Sequence, residues 1–177
     1  MIFTETKIKG AFLIEIDKLE DERGSFFRIW CKEEFESHGL ISQFVQFNKS
    51  CSRKAGTIRG LHYQVQPHQE VKLICCTKGA IYDVIIDIKP ESHTYKHWMG
   101  VELIADNHKM LYVPSGVAHG FKTLEDNTEV FYPVSEFYSP ESECGIRWDD
   151  PTFTIEWPIT DSLIISDKDK DWPDFFS

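Results

Sequence analysis

An arginine, a glycine and a histidine fall within four positions of one another at Arg59, Gly60 and His62, inside the stretch GTIRGLHYQ (residues 56–64). The first is an always-charged guanidinium and the last an imidazole that titrates near neutrality. Lys72, His119 and Tyr132 add an ammonium, a second imidazole and a phenol. Imidazole beside phenol and ammonium is the set that proton abstraction next to a carbonyl requires: a base, an acid and a stabiliser for the developing oxyanion. Each residue alone has a plainer reading, as a satisfied core histidine, a histidine in a loop, a lysine in a strand or a tyrosine before a proline. The case for chemistry rests on their joint presence.

Ile58, Leu61 and Tyr63 have strand propensity, so this stretch is expected to be extended and half buried. In a regular strand Arg59 and His62 would point to opposite faces. A bulge at Gly60 would bring them to one face, because glycine tolerates the backbone angles that a bulge needs. Around it the pattern predicts short strands over residues 2–8, 11–16, 44–50, 71–76, 80–88, 98–103, 110–113, 129–134 and 153–157. Residues 21–30 read as a turn followed by an aromatic strand, and 114–121 as a loop returning to a strand. Gln46 and Asn48 fall on one face of theirs, and Asp83 and Asp87 on one parity of the apolar run AIYDVIIDI. One short helix is expected over 31–38, ended by Gly39. Short strands at roughly ten-residue intervals, punctuated by Gly, Pro and Asn, indicate an antiparallel sandwich or barrel. Residues 166–175, SDKDKDWPDF, read as a solvated acidic end.

The 177 residues suit one domain spanning the chain, with a sizeable core. A formal charge of −10 argues against nucleic acid as a partner, and any anionic ligand must be met by a local positive cluster. The five cysteines include no C-x-x-C pair, and adjacent Cys75 and Cys76 would face opposite ways on a strand, so reduced thiols in the cytoplasm are expected. The first residues contain no signal-peptide core, and there is no apolar run of membrane-spanning length, so no membrane partner is expected.

Several blocks occur in order along the chain: DERGSFF, QFNKS, IRGLHYQ, EVKLICCTKGAIYDVIIDI, VPSGVAHGF, the segment Tyr132 to Glu143, and ISDKD. Together they resemble the dTDP-4-dehydrorhamnose 3,5-epimerase family over nearly the whole length. The resemblance implies an all-β, double-stranded β-helix (jelly-roll cupin) with short peripheral helices. It also implies a homodimer with exchanged N-terminal strands, acting without a cofactor or metal on a nucleotide-diphosphate 4-keto-6-deoxyhexose. His62 would be the base at C3 or C5 of the sugar, and Asp169 would hold its second ring nitrogen, with Asp83 and Asp87 as alternatives for that role. Tyr132 would protonate from the opposite face, and Lys72 would stabilise the enolate oxygen. Arg23, Arg59 and Lys168 would bind the diphosphate. Phe26, Gln46, Asn48, His119 and Glu143 would contact substrate, and Tyr138 would stack on the base. Arg28 departs from the pattern, since many members carry Glu there. A guanidinium only donates hydrogen bonds, so it favours a base edge that presents acceptors, such as cytosine N3/O2 or guanine O6/N7, over the thymine N–H.

Three rival readings differ in class. PSGVAH fits the second half of a cupin metal signature, but GLHYQVQPHQE lacks the H-x-H of the first half. A non-catalytic sugar-nucleotide binder would need neither an acid nor a base. A ketoisomerase or single-centre epimerase, on a CDP- or GDP-linked sugar, would use an overlapping His/Tyr set.

Overall fold

A computed structural model describes residues 1–175. In chain order its elements are β1 (Ile2–Glu5), β2 (Phe12–Glu15), β3 (Lys18–Asp21), β4 (Gly24–Phe27), α1 (Lys32–Ser37), β5 (Gln46–Ser52) and β6 (Ile58–Gln64). Then follow β7 (Lys72–Lys78), β8 (Ala80–Asp87), β9 (Trp98–Ile104), β10 (Lys109–Val113), β11 (Val117–Thr123), β12 (Thr128–Val134), β13 (Glu143–Gly145) and α2 (Asp167–Lys170). Two antiparallel sheets face each other, in strand orders β1-β2-β10-β7-β12-β5 and β13-β6-β11-β8-β9, while β3 and β4 form a separate hairpin.

Alternation along the strands explains where each side chain goes. Ile81 and Ile85 of β8 enter the core between the sheets with Ile74, Leu111, Phe121 and Val130. Val84 and Ile86 of the same strand face outward, where Leu61, Ile146 and Phe153 cover them. A strand buried on both faces reads as the continuous apolar run seen in the sequence. Cys76 lies in the central core and Cys75 packs against the cluster on the other face of its sheet, as their adjacency requires. The cysteines are free thiols, and burial pushes the Cys75 and Cys76 thiols up to about 11. The helix α1 buries Phe35 against that outer cluster and ends before Gly39, whose φ of 70° only glycine adopts readily.

Three local expectations need correcting. Residues 153–157 form no strand: Phe153 is buried against the outer face of the second sheet by its side chain, and the backbone turns there on hydrogen bonds to Asp150. Pro151 and Pro158 bracket this segment and remove ladder donors, so its β-branched and aromatic content reflects packing rather than pairing. His119 sits in the middle of β11, not in a loop. The aromatic strand after Gly24 ends at Phe27, leaving Arg28 to Trp30 outside it.

In β6 the expected bulge is present. His62 pairs with His119 and Arg59 with Phe121, so Gly60 and Leu61 together stand opposite the single residue Gly120. Gly60 has φ 110°, and a Cβ there would come within 2.6 Å of the Gly120 Cα and 2.7 Å of the His119 carbonyl oxygen. Gly60→Ala should therefore destabilise the protein by about 2–5 kcal/mol. For a chain of this length that is a fall in Tm on the order of 5–15 °C. A melting curve within a degree or so of the parent's would show that the two backbones are not in such close contact.

Candidate functional site

The bulge decides what faces the space between the sheets. With one extra residue in β6, Leu61 turns to the outer apolar cluster while Arg59 and His62, three apart, line one cavity of about 510 Å³. Lys72, His119, Tyr132, Lys168 and Asp169 line it as well. A second recess of about 380 Å³ shares His62, Lys72 and Tyr132 and adds Gln46, Asn48, Gln64, Glu70, Tyr138 and Glu143. The two lobes together have the size of a small-molecule site.

His62 Nε2 lies 2.7 Å from Asp169 Oδ1. Asp169 comes from α2, a single turn whose N-terminus is capped by the Ser166 hydroxyl, and its other oxygen accepts the Gly60 N–H at 3.3 Å. Burial alone would raise this carboxyl, but the bond and charge of His62, helped by the Gly60 N–H and Ser166, hold it below the usual carboxylate range. The carboxylate fixes the ring and favours the tautomer that leaves Nδ1 free to accept a proton. Asp83 and Asp87 do not take this role. Asp83, fully buried, bonds His119 Nε2 at 2.8 Å, and Asp87 is taken up by Ser92, Thr94 and the Lys89 N–H. Burial raises the Asp83 carboxyl against the opposing pull of His119 and Lys72.

Lys72, at the start of β7, is 7 % exposed. Its ammonium donates to the His62 carbonyl at 3.0 Å and pairs with Glu70 at 3.1 Å. Tyr132, in the middle of β12, has no hydrogen-bond partner for its hydroxyl among the described residues. Burial raises this phenol above its ordinary value, with Arg59 opposing, so it keeps its proton at neutral pH. His62 and Tyr132 belong to different sheets, so an acid and a base confront each other across the cavity.

The remaining charges are divided between the lobes. The larger carries Arg59, Lys72 and Lys168 with two imidazoles, against Asp169 as its one lining carboxylate. At the mouth of the smaller, Glu143 accepts from both Tyr138 and Lys168 at 2.6 Å, and Gln46 accepts the Tyr138 N–H at 2.7 Å. Burial would raise the Glu143 carboxyl, but those two donors and the charge of Lys168 hold it down. Thus the structure brings together His62, Lys72, Tyr132, Asp169, Arg59, Lys168, His119, Gln46, Asn48, Tyr138 and Glu143.

It does not bring in Arg23, Phe26 or Arg28. Arg23 and Phe26 lie on the β3–β4 hairpin, which forms a recess of its own, and Arg28 follows it. Arg23 is tied to Asp21, Phe26 is 63 % exposed, and Arg28 is exposed just past β4. Several lining residues were missed, among them Ser50, Gln64 and Glu70. Ser50, whose buried hydroxyl has no partner, continues the inward parity of Gln46 and Asn48 and could have been found from it. Gln64 and Glu70 had no such signal. Gln64 clamps the backbone at His68, Phe137 and Ser139, and Glu70 pairs with Lys72.

Comparison with known proteins finds relatives in both sequence and fold. The family model for dTDP-4-dehydrorhamnose 3,5-epimerase matches residues 5–176. A protein of that name from Methanothermobacter thermautotrophicus is 42% identical over 172 residues, 96% of this chain and 92% of its own. The crystal structure of a dTDP-4-dehydrorhamnose 3,5-epimerase from Bacillus anthracis, with TDP and PPi bound, superposes with a TM-score of 0.94 at 46% identity, covering 98% of this chain and 99% of that one. A 3′-monoepimerase from Streptomyces bikiniensis, in complex with dTDP-quinovose, superposes with a TM-score of 0.89 at 29% identity, over 96% of this chain and 85% of that one.

The depressed Asp169 carboxyl gives a sign to the acid response. A carboxylate held below its unfolded value contributes stability above about pH 4 and loses it as the pH falls through the folded value. The stability difference between the parent and Asp169→Asn should persist down to about pH 4 and vanish below it. Chemical denaturation at a series of pH values measures this. A difference that already disappears near neutrality would place the carboxylate outside the His62 contact.

Proposed function

On the premise that this chain belongs to the dTDP-4-dehydrorhamnose 3,5-epimerase family, we propose that His62, Tyr132, Asp169 and Lys72 carry out its chemistry. The protein is an isomerase, a carbohydrate epimerase of deoxysugar biosynthesis, built on a cupin-type β fold. Its substrate under this proposal is the dTDP-linked 4-keto-6-deoxyhexose. The 4-ketone acidifies the C–H bonds at C3 and C5. His62 Nδ1 removes one of these protons, and the Asp169 carboxylate stabilises the imidazolium that forms. Lys72 stabilises the enolate oxygen, a kind of contact worth roughly 3–4 kcal/mol in comparable sites. Tyr132 then delivers its proton from the other face, which inverts the centre; before the second carbon reacts, the imidazolium gives its proton to solvent and Tyr132 takes one back. The observation that carries this reading is the placement of His62 and Tyr132 on opposing sheets around one cavity. A site that only bound sugar nucleotides would need neither. A metal-dependent cupin would need three or more clustered ligands, and none are grouped among the described residues.

Arg59 and Lys168 are positioned to take the diphosphate, with Gln46, Asn48, His119, Tyr138 and Glu143 around the sugar and base. We infer a homodimer, because Arg23, Phe26 and Arg28 line neither lobe of the cavity that holds His62 and Tyr132. The outer face also leaves Trp30 40 % and Phe47 65 % exposed, the apolar surface that an interface would cover. In such a pair the hairpin of one copy would meet the site of the other. The whole chain would act as one domain. No described helix is long and apolar enough to cross a membrane, and the free thiols fit the cytoplasm.

Incubation with the 4-keto sugar nucleotide in D₂O tests the roles. His62→Ala should abolish deuterium uptake at C3 and C5 while leaving ligand affinity nearly unchanged, because the base acts on the barrier. Tyr132→Phe should still exchange at one or both carbons but fail to invert them. Equal loss of exchange in both variants would end the two-sided assignment, and uptake at C3 alone in the parent would make the enzyme a single-centre epimerase.

Calorimetry settles the base. The bound TDP of the Bacillus anthracis relative favours thymidine. Titration should give dTDP the tightest binding, ahead of CDP and GDP, with Arg28→Glu changing the order little. Tighter binding of CDP or GDP that is lost in Arg28→Glu would make Arg28 the selector of a different nucleotide.

A further inference from the structure

The carboxylate that orients His62 sits on a helix of only four residues, too short to be stable by itself. Something else must hold it in place. On either side the chain is tied down: Ile164 pairs with Thr57 and Ile58, and Phe175 donates its N–H to Asp150 at 2.6 Å while Asp174 pairs with Arg147 at 2.8 Å. Between these anchors the outward fixture is Trp172. Its indole fills the space above Gly145, where an added Cβ would collide with the ring. Gly145 has no left-handed backbone, so glycine serves there to make room. It is also the residue of β13 that pairs with His62 in β6. The indole therefore presses on the strand directly beside the base. The Lys168 ammonium lies 5.9 Å from the centre of the same ring, near the outer limit of a cation–π contact. The buried indole N–H has no hydrogen-bond partner, so shape rather than polarity seats the ring.

We propose that Trp172, lodged in the notch left by Gly145, is a positioning residue for the reaction: it sets α2 against β13 so that the Asp169 carboxylate reaches the His62 ring. This rests on the acid/base reading above. A carboxylate displaced by an ångström no longer fixes the ring, and misplacements of that size slow enzymes by up to about a hundredfold. Binding changes less, because Trp172 lines neither lobe of the cavity.

The test is steady-state kinetics on the full chain with the dTDP-linked 4-keto-6-deoxyglucose, in Trp172→Ala, Trp172→Phe, Asp169→Asn and the double variant Trp172→Ala/Asp169→Asn. Trp172→Ala should lower kcat by about ten- to a hundredfold with KM altered far less. Trp172→Phe, which keeps an aromatic plug and removes the unpaired N–H, should stay within about threefold of the parent. Once Asp169 is Asn, Trp172→Ala should cost less than about twofold more, since both act through the same contact. Should Trp172→Ala fail to fold, Gly145→Ala, which expels the ring from the other side, carries the same comparison. Full kcat in the alanine variants, a change confined to KM, or losses that multiply in the double variant would each overturn the proposal. If Asp169→Asn itself kept full kcat, the acid/base reading would fall instead.

Discussion

The approach of β6 to β11 at Gly60 and Gly120 is a constraint that most of the cavity inherits. A Cβ on Gly60 would collide with the facing backbone, and one on Gly120 would come within 2.8 Å of the Arg59 carbonyl oxygen. Two glycines opposite each other let the strands close around an extra residue, and that residue changes the parity of everything after it. Arg59 and His62 then share an interior face, and Leu61 is available to seal the outer one. The same turn of backbone aims the Gly60 N–H at Asp169, so one bulge both presents the base and helps to hold its partner. Bulges near active sites commonly re-aim side chains in this way. Here the re-aiming is coupled to a hydrogen bond that reaches the other end of the chain.

Burying so many ionisable groups between two sheets is tolerable because most find an opposing charge or a hydrogen bond. Asp83 enters the core between Ile81 and Ile85 and is matched by His119 across the ladder. Lys72 is matched by Glu70 and a carbonyl oxygen, His62 by Asp169, and Glu143 by Lys168 and Tyr138. Two hydroxyls left unmatched are informative by contrast. The Tyr132 hydroxyl and the buried Ser50 hydroxyl both face the cavity without a protein partner. A reacting sugar would supply what they lack.

Local chemistry was legible in the sequence wherever short-range spacing determines it. The bulge followed from Arg59, Gly60 and His62 in four positions, the helix stop from Gly39, and the inward face of β5 from the alternation of Gln46 and Asn48. What stayed hidden depends on contacts across the chain. Residues 153–157 carry strand-like side chains yet pair with nothing, because a covering segment and a central strand need the same apolar residues. The loop assigned to His119 failed because Pro114 and Gly116 precede a strand that begins only one residue after that glycine. The acidic end looked solvated by composition, and only family resemblance singled out Asp169, which proves to be 5 % exposed. Composition averages over a segment, whereas burial here singles out one residue of it.

The hydrogen bond between His62 and Asp169 joins residues 107 apart in sequence, and α2 belongs to neither sheet. The strands that line the cavity are all complete by Gly145, well before Asp169 has been synthesised. A chain ending there would carry Arg59, Lys72, His119 and Tyr132 but neither the carboxylate that orients His62 nor the Lys168 ammonium. One break in the backbone between Ile164 and Asp169 would therefore part the base from its carboxylate without removing a residue of either sheet.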